Sequence, residues 1–131
     1  MNYGIQHEAR FRQANVYEGM VYDRAIRPTD IDGGMDFGNK LFVFFEMKAA
    51  DAPCPTGQRL FLERITDAIT LSKKSACALI CEHQHPQWED IQCADSIVRE
   101  YRWLFKWRKP EKELTLHEAV NALVELGGKQ P

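Results

Sequence analysis

The run Leu41-Phe42-Val43-Phe44-Phe45-Glu46-Met47-Lys48 reads as a β-strand. Its first five residues are branched or aromatic and apolar, which suits a pleated surface. With no polar residue on either side of the alternation, both faces need cover, so the strand belongs inside a sheet. The last three residues break that pattern. Glu46 and Lys48 lie two apart and share one face, and a charge on such a strand is costly unless something pairs with it.

Upstream, Phe37-Gly38-Asn39-Lys40 is a turn, because Gly and Asn accept the left-handed backbone. Asp30 to Asp36 then runs as extended chain and folds back on the strand as a hairpin. Residues 19–27 (GMVYDRAIR) read as a first strand, which Pro28-Thr29 interrupts or holds near an edge. Downstream, residues 49–57 (AADAPCPTG) form a loop. A helix is expected from Gln58 to Lys74, with Phe61, Leu62, Ile65, Ala68 and Ile69 in one apolar stripe. Ala76 to Cys81 is a second buried-type strand. Strand, turn, strand, helix, strand is an α/β order with the helix packed on the sheet. Residues 91–102 predict one or two short strands. Thr115-Leu116-His117-Glu118 is a capping box that opens a last helix, ending at Gly127-Gly128.

The chain has 131 residues, 44% of them apolar, and its 17 Lys+Arg nearly balance 19 Asp+Glu. This fits a single domain over 1–131 and excludes a disordered chain or a generic polycation. No stretch of about 18 apolar residues spans a membrane, and the polar start MNYGIQHEARFRQ lacks a signal-peptide core. The expectation is a cytoplasmic protein whose four cysteines stay reduced. Cys77, Cys81, His83 and His85 match no zinc spacing, and buried thiols with loop histidines are the plainer reading.

The chemistry-bearing residues lie between Pro28 and Lys48. Asp30 and Asp32 share a face, and the hairpin brings Asp32 beside Glu46 with Lys48 next along. Two adjacent carboxylates repel, and a hard divalent cation relieves that repulsion. Mg²⁺ takes oxygen ligands and keeps several waters, so two carboxylates and a carbonyl suffice. A lysine beside that metal can orient or deprotonate a water, or stabilise charge developing at phosphorus.

Pro-Thr-Asp-Ile-Asp-Gly from Pro28, the hairpin, and Phe-Phe-Glu-Met-Lys ending at Lys48 resemble the core of the PD-(D/E)xK nuclease superfamily. Gly57-Gln58 strengthens the likeness, since several branches, small phage-type and virus-type replication-repair nucleases among them, carry a Gln there. The resemblance covers residues 19–82. It implies a restriction-endonuclease-like α/β core, a central mixed β-sheet flanked by helices, and Mg²⁺- or Mn²⁺-dependent cleavage of DNA, with RNA second. It implies that Asp32 and Glu46 hold the metal, that Lys48 is the catalytic lysine, and that Gln58 points back at the active site. The literal "PD" is absent, because Thr29 follows Pro28. Asp30 is either a further ligand or a turn carboxylate. Many branches also supply a glutamate from an N-terminal helix, for which Glu8 and Glu18 both qualify. A homodimer is expected on fold analogy.

Residues 91–126 add a basic strand region and the capping helix. Arg99, Arg102, Lys106, Arg108 and Lys109 alternate with Tyr101, Trp103, Phe105 and Trp107. One strand with an apolar and a cationic face has this pattern. Such a face can track phosphates while a ring stacks on a base. It can equally be an edge strand whose aromatics are core and whose cations guard the edge. Against the nuclease stands a second functional reading, a non-catalytic module that keeps the nuclease fold to bind nucleic acid or a protein.

Overall fold

Gly38 and Asn39 both take the left-handed backbone, at φ of 63° and 62°, in the computed structural model, which describes residues 14–127. Asp36 Oδ1 accepts a hydrogen bond from Asn39 N at 2.7 Å and stiffens the turn. Two such residues give the turn whose twist matches an antiparallel hairpin. The turn joins β1 (Gly33–Phe37) to β2 (Leu41–Ala49), with Gly33 opposite Phe45 and Phe37 opposite Leu41. Gly33 is required by close approach: a Cβ there would stand 2.1 Å from the Phe45 ring.

From β2 the chain crosses through α1 (Thr56–Leu71) to β3 (Ser75–His83), which lies parallel to β2. A 3₁₀ turn at Cys93–Asp95 precedes β4 (Ile97–Trp103), β5 (Lys106–Arg108) and α2 (Leu116–Gly127). The sheet order is β1-β2-β3-β4-β5, and only β2 and β3 are parallel. The molecule is therefore an α/β protein with a five-stranded mixed sheet and two described helices. No described helix is long and apolar enough to cross a membrane.

Alternation divides the sheet between the helices. Leu41, Val43, Met47, Cys77, Leu79 and Cys81 form one core with Leu116, Ala119 and Val120 of α2. The intervening positions of β2 and β3 face α1. The capping box forms at α2, where Thr115 N donates to Glu118 Oε1 at 3.0 Å and Glu118 N donates to Thr115 Oγ1 at 3.1 Å.

Three expectations change. Residues 19–27 form no strand: Asp23 and Arg24 are left-handed, and a single Tyr22–Ile26 bridge closes a turn around them. The polar pair at its centre is the turn signal that overrides the flanking apolar residues. The inner face of α1 centres on Leu62 and Thr66, both buried, whereas Phe61 and Ala68 are exposed. A threonine hidden among the apolar residues shifted the apparent stripe. The helix also stops at Leu71, where Ser72 caps it and Lys73 turns left-handed.

The third change is at the basic segment. Leu104 and Phe105 adopt φ of 48° and 67° and make a two-residue turn, so residues 97–108 are a hairpin and not one strand. Tyr101 pairs with Arg108, Arg102 with Trp107, and Trp103 with Lys106. Directly opposed residues share a face, so each face of the hairpin mixes aromatics with cations. No separate cationic face forms.

Candidate active site

One residue before Gly33, which pairs with Phe45, Asp32 meets Glu46. Asp32 N donates to Glu46 Oε2 at 3.2 Å, and Met47 N donates to Asp32 Oδ2 at 2.6 Å. Each acid is thus held by the other segment's backbone or side chain. Lys48 Nζ stands 3.4 Å from Glu46 Oε1. The Glu46 side chain is only 5% exposed and that of Lys48 17%, while Asp32 is exposed. Asp32, Glu46 and Lys48 are brought together at the end of β2 where the chain leaves for α1. In α/β sheets, the carboxyl ends of parallel strands are where ligands commonly bind.

Burial, first, and the nearby Asp32 charge, second, push the Glu46 carboxyl above the usual carboxylate range; the hydrogen bond from Asp32 N and the Lys48 charge pull the other way. The net direction is upward, with burial the largest cause. The donor set is oxygen only, which favours a hard cation. Among the described residues, no three His, Cys, Asp or Glu side chains gather closely enough to hold a metal. The Asp32–Glu46 pair thus offers two carboxylates and no third such donor among the described residues.

Gln58 lies in the first turn of α1, yet its amide is engaged: Nε2 donates to Asp30 O at 3.0 Å, and Oε1 accepts from Cys54 Sγ at 3.6 Å. It staples the segment before Asp32 to the helix. The Asp30 carboxylate accepts a hydrogen bond from Tyr17 Oη at 2.8 Å and does not join the Asp32–Glu46 pair. Glu18 is exposed in a turn, and Glu8 lies outside the described residues.

The basic residues are largely committed to internal partners. Arg102 grips Asp67 through two hydrogen bonds of 3.0 and 2.7 Å, and its Nη1 lies 3.5 Å from Glu63. Arg108 Nε donates to Trp103 O at 3.0 Å, whereas Lys106 and Lys109 are exposed. Arg99 lies at the rim of the site: it donates to Ala52 O at 2.7 Å and to Glu82 Oε2 at 3.2 Å. Glu82 is the register partner of Lys48. Neither Glu82 nor the Ala52 carbonyl was legible as part of the site, since the β2–β3 register depends on how the crossover packs.

Cys77 and Cys81 point into the α2-side core. Burial drives the Cys77 thiol far up and the Cys81 thiol to about 12, as expected for thiols packed in an apolar core. Comparison with known proteins finds no family model, curated protein or solved structure that matches this chain.

Proposed function

We propose that the chain is a metal-dependent nuclease with a restriction-endonuclease-like core, hydrolysing phosphodiester bonds in DNA ahead of RNA. The observation that carries this reading is the Asp32–Glu46 carboxylate pair with Lys48 against Glu46, because Glu46 is buried beside a second carboxylate. Asp32 and Glu46 would hold Mg²⁺ or Mn²⁺ by their oxygens. When bound, the ion supplies Lewis acidity toward a phosphoryl oxygen and makes a bound water more acidic. Lys48, 3.4 Å from Glu46, is set to hold or orient the attacking water and to stabilise negative charge on the phosphoryl oxygens. Gln58 and the Asp30 carbonyl fix the segment that carries Asp32.

The test is cleavage of labelled single-stranded and duplex DNA with Mg²⁺ or Mn²⁺. EDTA is expected to abolish it. Lys48→Ala is expected to lower kcat by about a hundredfold or more, the scale for losing one group that stabilises transition-state charge, with circular dichroism unchanged. Undiminished cleavage in Lys48→Ala and Glu46→Ala overturns the site. Metal-independent binding of nucleic acid without turnover establishes the non-catalytic module instead.

A further inference from the structure

We propose that Arg99 is a positioning residue for Lys48, acting through Glu82 and not on a phosphate; this rests on the reading of Asp32, Glu46 and Lys48 given above. The parallel register sets Lys48 beside Glu82, so a second acid, besides Glu46 on its own strand, stands at the neighbouring strand position. An unengaged Glu82 would compete with Glu46 for Lys48. The observed pairing avoids this. Lys48 Nζ lies 3.4 Å from Glu46 Oε1, while Glu82 Oε2 accepts from Arg99 Nη2 at 3.2 Å.

Arg99 reaches Glu82 through an irregularity. The β3–β4 ladder pairs Ile80 with Glu100 and Cys81 with Val98, which leaves Arg99 as the extra residue of a bulge. Bulges re-aim side chains in this way and recur beside active sites. The other arm of the guanidinium donates to Ala52 O at 2.7 Å, in the connection leaving β2. Two donors on two acceptors fix the plane of the fork, which a lysine cannot reproduce. With side chains 26% and 31% exposed, Arg99 and Glu82 form a rim pair. A phosphate would have to displace Glu82 to be gripped by Arg99.

Arg99→Ala frees Glu82. The expected result is a fall in kcat of about 10–100-fold, the usual scale for partners that orient a site from outside it. KM for a DNA substrate is expected to hold. A crystal structure of the variant is expected to show Lys48 Nζ turned from Glu46 to Glu82. Adding Glu82→Gln removes the competing charge and is expected to restore both kcat and the Lys48–Glu46 contact, even though the Ala52 anchor stays lost. A rise in KM with kcat intact assigns Arg99 to substrate and overturns the proposal, as does a double variant no better than Arg99→Ala. The position of Lys48 is read without turnover, so this arm decides the positioning role even where the wild-type chain fails to cleave DNA.

Discussion

Glu46 holds its charge at a cost to the fold. Its carboxyl is raised mainly by burial and next by Asp32, which means the folded chain keeps a proton that the unfolded chain has already released. Stability therefore falls as pH rises from the ordinary carboxylate value through the raised one; the loss is complete above that window and absent below it. In Glu46→Gln the pH slope from this group disappears. Above the window, the variant is expected to melt no lower than wild type while losing metal-dependent cleavage. Mg²⁺ is expected to raise the wild-type Tm there and leave that of the variant unchanged. Melting curves over a pH series, with and without Mg²⁺, check both; a variant that melts well below wild type at neutral pH would mean that the Lys48 contact outweighs burial and repulsion. At this scale much was legible. Glu46 and Lys48 follow from period-two alternation, and Asp32 from a turn whose length Gly38 and Asn39 set. The engaged amide of Gln58 was not legible, because its partners come from 28 and four residues away.

The hairpin between β4 and β5 turns on Leu104 and Phe105, both left-handed and both exposed. For L-residues with a Cβ this backbone costs roughly 1–2 kcal/mol each, and only partial burial offsets it, since Leu104 and Phe105 stay 51% and 44% exposed. Leu104→Asn with Phe105→Gly places turn-forming residues in the same geometry. The pair is expected to raise stability by about 1–2 kcal/mol, read as a shift in the urea midpoint with the m-value unchanged; an unshifted midpoint would show that the two side chains make compensating contacts. This turn was hidden in the sequence for the same reason that it is strained: nothing in Leu-Phe signals it. By contrast, β2, β3 and the capping box at Thr115 each announce themselves by composition. The segment over 19–27 misled because its apolar residues flank a turn and stay exposed.

Across the whole molecule, the formal charge of −2 conceals cations spent on internal acids. Arg59 pairs with Glu100 and lies 4.2 Å from the Trp107 ring centre. Arg102 takes Asp67 and Glu63, and Trp107 Nε1 donates to Glu63 at 2.9 Å. Helix α1 is thereby tied to the far strands of the sheet by polar contacts, while α2 is seated on the opposite face by apolar ones. Such partnerships lie outside local periodicity, since they join residues 35 to 44 positions apart. The same limit governs how residues 101–108 tolerate change. Odd and even positions exchange sides at the Leu104-Phe105 turn, so tolerance in a saturation mutagenesis scan is expected to slip phase by one residue there. Positions before and after the turn that look equivalent by alternation would then answer to different neighbours. Deleting one of the two turn residues would invert the orientation of everything that follows in β5, exchanging the environments of Trp107 and Arg108 without altering either residue.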